Sequence, residues 1–115
     1  MNRRVRGPLN EETMARLVVR YKTPKDAAAF DKHYAETHIA IAKKIPGLRK
    51  YEISHGPVVT PAGPSDIHLI ATLHFDTLAA IGSAFASGEG QAAAADVQSF
   101  ATGGVDMLMF ETREG

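Results

Sequence analysis

The sequence contains no cysteine among its 115 residues. The chain therefore cannot form a disulfide, use a thiolate as a nucleophile or bind zinc through sulfur. A cysteine-free composition is typical of a reducing compartment, so we expect a cytoplasmic protein.

An excess of either charge is also missing, because 13 Lys and Arg residues balance 13 Asp and Glu residues. No basic field is present to attract phosphate backbones or anionic lipid, so we expect neither nucleic acid nor a membrane as a partner. No apolar run approaches the roughly 20 residues of a membrane-spanning helix. Gly7 and Pro8 follow three N-terminal arginines where a signal peptide would need apolar residues.

The chain length and its 44% apolar residues are sufficient for one hydrophobic core. Residues 1–13 are polar and show no periodic apolar pattern, and Met14 stands directly before the first strand-like run. We therefore predict an N-terminal extension over 1–13 and one domain over 14–115. The extension could be an upstream start, a cloning remnant or a short arm that docks on a partner, and the sequence leaves these three readings open.

Alternating apolar and polar residues over 15–22 predict the first strand. The following Thr23 offers an N-cap hydroxyl, and Pro24 suits the first helical position, so a helix is expected to begin there. This helix is predicted to run to Lys44, before Pro46-Gly47 ends it.

The second half of the chain alternates in the same way between strand and helix patterns. The predicted elements are a strand over 48–55, a proline-rich loop over 56–64, the clearest strand over 67–75, a helix beginning at 76–77, a glycine-rich linker over 87–90, a further helical piece ending at 102–104, and a strand over 105–112. The last strand is almost continuously apolar, so both of its faces are expected to be covered.

The order strand, helix, strand, strand, helix, strand predicts an α+β domain of the ferredoxin-like type, a four-stranded antiparallel sheet with the helices on one face. The other sheet face mixes apolar and polar side chains in a way that suits neither water nor an ordinary core. Its predicted members are Val18, Ile70, Leu108 and Phe110 beside Arg16, Arg20, His68 and His74. Face-to-face packing with a second sheet about 10 Å away would cover this surface, so we expect a homodimer.

His38 is the main candidate for chemistry, because it follows Phe30 and Tyr34 on the apolar stripe of the first helix. One interpretation is a core histidine whose ring nitrogens are hydrogen-bonded. The other is an acid, base or donor in a pocket, with Tyr34 as the second catalytic residue and Tyr21 and Tyr51 across from it. Any pocket between helices and sheet would also have to use the aromatic rings of the later helices, which are otherwise core residues. These rings are Phe85 and Phe100.

A metal site is not expected. His33 and His38 are five positions apart, about 140° around an α-helix, which also places His33 on the solvent side. His68 and His74 share a strand face but lie roughly 20 Å apart. The sequence contains no nucleophile elbow, P-loop, dinucleotide fingerprint or HExxH motif.

Three segments of the sequence resemble EthD-like proteins, and the resemblance covers nearly all of 14–112. They are Phe30-Asp31-Lys32-His33-Tyr34-Ala35-Glu36-Thr37-His38, the turn Ala42-Lys43-Lys44-Ile45-Pro46-Gly47-Leu48 with Tyr51, and the alanine-rich stretch from Glu89 to Asp96 followed by Phe100-Ala101-Thr102-Gly103-Gly104. The family often has proline where this chain has Ala40, so the helix is expected to run straighter past His38.

The resemblance implies the dimeric α+β barrel superfamily, which includes cofactor-free monooxygenases, isomerases, polyketide cyclases and haem enzymes. EthD-like proteins are linked to oxidative degradation of ethyl tert-butyl ether and are labelled oxidoreductases by association. The resulting hypothesis is a small-molecule protein of oxidative catabolism that binds an apolar ligand, with His38 protonating or polarising it. The alternative is a non-catalytic dimeric binding or accessory protein for a partner oxygenase. No cofactor is expected, and haem binding through one histidine is the remaining possibility.

Overall fold

The computed structural model describes residues 14–115, and the predicted extension over 1–13 lies outside the described residues. The fold is α+β, as predicted. The elements are β1 (Ala15–Lys22), α1 (Ala27–His33), a π-helical segment (Tyr34–His38), α2 (Ile39–Ala42), β2 (Lys50–Ile53), β3 (Val59–Thr60), β4 (Gly63–Pro64), β5 (Ile67–Phe75), α3 (Leu78–Ala86), α4 (Gly88–Phe100) and β6 (Val105–Glu111).

The main sheet has the strand order β2-β5-β1-β6, and all neighbouring strands are antiparallel. Strands β1 and β5 have the predicted bounds and lie at the centre of the sheet. The helices pack on one sheet face, where the core lies. Its larger buried members are Leu17, Val19, Tyr21, Phe30, Tyr34, Ile45, Leu73, Phe75, Ile81, Val97 and Phe100. No helix among residues 14–115 has the length and apolar character needed to cross a membrane.

The first helix differs from the prediction at both ends and in the middle. It begins at Ala27, because the Asp26 carboxylate caps it by accepting a hydrogen bond from the Ala29 N–H at 3.0 Å. Thr23, the predicted N-cap, instead donates its hydroxyl to the backbone carbonyl of Asp66. The helix ends at Ala42, two residues before the predicted end, and it runs as regular α-helix through the Ala40 position.

The π-helical segment Tyr34–His38 interrupts this helix just before the Ala40 position. The Ile39 N–H donates to the Tyr34 carbonyl, a bond that spans five residues. The straighter run expected past His38 is therefore preceded by an irregular turn that the residue pattern did not indicate. π-Helical turns within α-helices occur frequently at functional sites.

The segment between β2 and β5 is more ordered than predicted, and β2 is shorter. The regular strand covers only Lys50–Ile53, although the Arg49 and Ser54 amides also donate to β5 carbonyls. The predicted loop over 56–64 contains the small hairpin β3–β4, which its prolines limit to two residues on each strand.

A β-bulge in β5 changes the side of the sheet on which His68 lies. Leu69 pairs with Tyr21 but Ile67 pairs with Lys22, which leaves His68 as the extra residue. The ring of His68 packs edge-on against Phe30, 4.9 Å between centroids, on the helix side. The prediction that His68 shares the outer face with His74 is therefore wrong.

The glycine-rich stretch 87–90 is a helix start and not the predicted linker. The Ser87 side chain caps α4 by accepting a hydrogen bond from the Gly90 N–H at 3.0 Å, and Gly88 is the first helical residue. Gly90 also permits α4 to approach α3 closely, because a Cβ atom there would lie 2.0 Å from the Ala84 carbonyl oxygen.

The final strand β6 ends at Glu111, one residue before the predicted end. Its central side chains, Met107, Leu108, Met109 and Phe110, are between 41% and 59% exposed. Met107 and Met109 lie on the helix side, and the expectation that this face is covered is wrong because β6 lies at the edge of the described sheet, beyond the cover of the helices. Leu108 and Phe110 lie on the outer face, where cover by a second sheet stays a prediction.

Candidate functional site

A small cavity of about 30 Å³ lies between the helices and the sheet. Five of the six predicted site residues line it together, and the remaining wall is predominantly apolar. The five are Tyr21, Tyr34, His38, Tyr51 and Phe85.

Phe100, the sixth predicted site residue, does not line this cavity. Its ring lies 4.9 Å from the His38 ring and 5.0 Å from the His33 ring, centroid to centroid. Phe100 also contacts Tyr21 at 5.4 Å. It is therefore a core residue that packs against both imidazoles outside the cavity.

His38 is 4% exposed and pairs with a carboxylate from α4. Its Nδ1 lies 2.8 Å from Oδ2 of Asp96. None of the hydrogen bonds found within residues 14–115 involves the other ring nitrogen, Nε2, and the side chain borders the cavity. A histidine held at Nδ1 by a carboxylate, with Nε2 free to act at a cavity, is suited to proton transfer.

His33 joins the same carboxylate, contrary to the prediction that it is only a surface residue. Its Nε2 lies 2.9 Å from Oδ1 and 3.0 Å from Oδ2 of Asp96. An α-helix would separate positions 33 and 38 widely, but a π-helical turn brings residues five apart onto neighbouring positions of the helix surface. The π-helical segment thus explains why both imidazoles reach Asp96.

The charge states follow from burial and from these hydrogen bonds. Burial lowers the pKa of His38, and the hydrogen bond to Asp96 only partly opposes this effect. Burial by itself would raise the pKa of Asp96, but the hydrogen bonds from His38 and His33 outweigh it and lower that pKa. The pair therefore consists of a neutral imidazole and a carboxylate near neutral pH.

Three tyrosine hydroxyls form the other polar part of the site. The Tyr34 and Tyr51 hydroxyl oxygens lie 2.6 Å apart and share a hydrogen bond. Burial is the largest cause of the raised pKa of Tyr21, Tyr34 and Tyr51. All three phenols therefore keep their protons at neutral pH and can serve as hydrogen-bond donors.

The sequence analysis missed Asp96 as a site residue. The buried side of α4 contains Ala93, Val97 and Phe100, and Asp96 is three residues after the first and four before the last. A helical wheel could thus have placed its carboxylate at the edge of the buried face. No group of three or more histidine or acidic residues within 14–115 is arranged to hold a metal ion.

Solved structures define the class of fold. The chain is similar to a mutant form of SnoaB, a cofactor-independent oxygenase from Streptomyces nogalater, with a TM-score of 0.63 and 17% identity, over 89% of this chain and 95% of that one. It is also similar to a dimeric ferredoxin-like protein of unknown function from Bacteroides fragilis, with a TM-score of 0.60 and 19% identity, over 85% and 95% of the two chains. At these identities the likeness shows the ferredoxin-like fold of dimeric α+β barrel proteins and no more.

Sequence identifies the family within that class. The EthD domain model matches residues 22–104, and the chain belongs to the EthD family. A protein of the ethyl tert-butyl ether d (EthD) family from Bacillus halodurans C-125 is 32% identical, with a TM-score of 0.79 over 85% of this chain and 97% of that one. An uncharacterized 11.0 kDa protein from the thcB-thcC intergenic region of Rhodococcus erythropolis is 41% identical over 83% of this chain and 91% of its own.

Proposed function

We propose that the protein is a cofactor-independent enzyme of oxidative catabolism that acts on a small, mostly apolar organic molecule of the ether or aromatic type, and that it removes a proton from a carbon made acidic by a neighbouring carbonyl or phenol group of that molecule. The observation that carries this proposal is the His38–Asp96 pair, with Nδ1 held by the carboxylate and Nε2 without a partner beside the cavity.

His38 has the properties of a general base in this arrangement. Donation of Nδ1–H to Asp96 selects the tautomer whose lone pair is on Nε2. The lowered pKa of His38, caused by burial, keeps that nitrogen unprotonated near neutral pH. When Nε2 accepts a proton, the Asp96 carboxylate stabilises the resulting imidazolium.

Tyr34 is proposed as the second catalytic residue. Its protonated hydroxyl borders the cavity and can donate to an oxygen of the ligand on which negative charge develops. Tyr51 orients that hydroxyl, and Tyr21 and Phe85 contribute to the ligand-binding wall. The anion formed by proton removal can be reprotonated at another carbon, as in an isomerase, or can react with dioxygen, as in an oxygenase.

The small volume of the cavity favours a second candidate function. Small-molecule sites usually enclose about 300 Å³ or more, whereas this cavity has room for about 30 Å³ and must open to admit a ligand. If the cavity does not open, the protein cannot bind a substrate there, and the alternative function is a non-catalytic dimeric protein that assists a partner oxygenase.

Deuterium exchange distinguishes the two functions. We expect the purified protein to accelerate incorporation of deuterium from D₂O at the acidic C–H bonds of a panel of aryl ketones. This exchange reports proton removal directly, whatever reaction of the resulting anion follows. Mass spectrometry of the ketones reports the exchange, and absorption near the Soret region with metal analysis on the same sample tests for haem or metal. The absence of exchange across the panel would favour the accessory function.

We also propose that two copies pair through the outer face of the sheet. Leu108 and Phe110 are 48% and 41% exposed on that face. Arg20 binds Asp106 across the strands at 3.1 Å, yet its Nε is buried without a hydrogen-bond partner. A facing sheet would cover the apolar side chains and could offer an acceptor to the exposed part of the Arg20 guanidinium, since 41% of that side chain is exposed. The structurally similar protein from Bacteroides fragilis is described as dimeric, which supports pairing of two copies but does not identify the face.

Light scattering should give about twice the 12.3 kDa chain mass at micromolar concentration. Phe110→Lys should shift the mass toward one chain, because it places an ammonium group on the proposed interface. Leu78→Lys is the matched control, since Leu78 is 43% exposed but lies on α3, on the helix side of the sheet. A wild-type mass of one chain would contradict the pairing.

A further inference from the structure

The Asp96 carboxylate is shared between two imidazoles, and the mechanism proposed above uses only one of them. Oδ2 accepts from His38 Nδ1 at 2.8 Å and lies 3.0 Å from His33 Nε2, while Oδ1 lies 2.9 Å from the same nitrogen of His33. The Ser99 hydroxyl approaches Oδ1 at 3.4 Å. His33 thus contacts both oxygens and fixes the plane of the carboxylate that holds His38.

The three groups are arranged from solvent toward the interior. The side chains of His33, Asp96 and His38 are 32%, 13% and 5% exposed. The Phe100 ring packs against both imidazoles. His33 therefore lies on the solvent side of Asp96, whereas His38 borders the cavity.

We propose that His33 is a positioning residue of this site, which holds Asp96 against His38 and competes with His38 for the charge of that carboxylate. This inference rests on the proposed function, because it assigns His33 a role in regulating the same base.

The physical basis is competition for one negative charge. A protonated His33 neutralises part of the Asp96 charge and repels a protonated His38, so His38 releases its proton more readily. The charged groups that act on His38 are Asp96 on α4 and His33 on α1. The buried hydroxyls that surround the pair, on Tyr21, Tyr34 and Tyr51, stay neutral because burial raises the pKa of each.

The test replaces His33 while retaining its packing. His33→Phe keeps an aromatic ring beside Phe100 but removes both contacts to Asp96. With the full carboxylate charge available to His38, its pKa should rise by about one unit, as measured by NMR titration of the imidazole resonances. The acid limb of the deuterium-exchange rate should move to higher pH by the same amount.

A conservative variant separates the two parts of the role. His33→Phe should also lower the exchange rate at high pH, because Asp96 is no longer held against His38. His33→Gln keeps an N–H donor for Asp96 without a titratable charge, so it should restore this rate while the pKa of His38 stays raised. It also serves if His33→Phe fails to fold. His68→Phe is the matched control, because His68 likewise binds a helix carboxylate, Asp31 at 2.8 Å, and packs on an aromatic ring.

The outcomes distinguish this inference from the proposed function. An unchanged pKa of His38 in both His33 variants would overturn the inference, even if exchange still depended on His38. If the pKa of His38 rises in the His33 variants but the protein catalyses no exchange, the electrostatic coupling stands and the proposed catalytic function is wrong. An equal pKa rise in His68→Phe would also overturn it, because the effect would then not be specific to His33.

Discussion

Replacement of His38 by asparagine is expected to lower the deuterium-exchange rate by about 10² to 10⁴-fold while leaving the protein folded. Asparagine retains a hydrogen-bonding amide that can reach Asp96, but it cannot accept a proton near neutral pH. Loss of the ring volume and of the ring contact with Phe100 should cost roughly 1 to 3 kcal/mol of unfolding free energy. Thermal unfolding and exchange must be measured on one sample. A stable variant with undiminished exchange would remove His38 from the mechanism.

The pH dependence of stability provides an independent check on the same residue. Burial holds the pKa of His38 below its ordinary value of 6.5. His38 therefore binds a proton more readily in the unfolded chain than in the folded protein. The stability that the neutral imidazole contributes is fully present above pH 6.5, and it is lost as the pH falls through the pKa of His38 in the folded protein. The difference in unfolding free energy between wild type and His38→Asn should accordingly narrow in acid.

Replacement of Gly90 by alanine is expected to be the most destabilising single methyl addition near the site. The new Cβ would lie 2.0 Å from the Ala84 carbonyl oxygen and 2.7 Å from the Phe85 Cα, and both are backbone atoms that a side-chain rotation cannot relieve. Helix α4 would have to move away from α3, at about 3 kcal/mol or more. Differential scanning calorimetry should show a melting temperature lower by on the order of 10 °C.

Gly82→Ala is the matched control, because Gly82 lies within α3 and a Cβ there meets no atom within 4 Å. Alanine at that position should raise the unfolding free energy by roughly 0.5 to 1 kcal/mol through helix propensity alone. Since α4 also carries Asp96, Gly90→Ala should reduce exchange in the remaining folded protein. Equal stability changes in the two variants would show that α3 and α4 are less closely packed than described.

The fold could be predicted because its central strands have a strict period of two. In β1 and β5 every second residue is apolar along the whole strand, and the bounds of both strands agree with the pattern. The errors arose where tertiary contacts or capping decided the outcome. The bulge at His68 depends on pairing with β1, and the start of α1 depends on which of two capping residues, Thr23 or Asp26, meets the helix amides.

Prediction of the candidate site was limited by the assumption of regular helix geometry. The pattern of Phe30, Tyr34 and His38 placed His38 and three tyrosines near one another, and the structure brings these four side chains to one cavity. The same assumption led to the wrong prediction that His33 is only a surface residue. It applied the α-helical angle per residue across a segment that is π-helical. Asp96 lies far away in sequence, so its pairing with both histidines follows only from the packing of α4.

Strand β6 has a consequence for the behaviour of the chain during folding. Its seven residues, Val-Asp-Met-Leu-Met-Phe-Glu, form an edge of the described sheet and carry large exposed apolar side chains at their centre. Such an edge offers free backbone donors and acceptors to any other extended chain, with Asp106 and Glu111 as its charged gatekeepers. We therefore expect β6 to be a segment through which unassembled chains can aggregate, and these two carboxylates are the side chains of the strand that counter it.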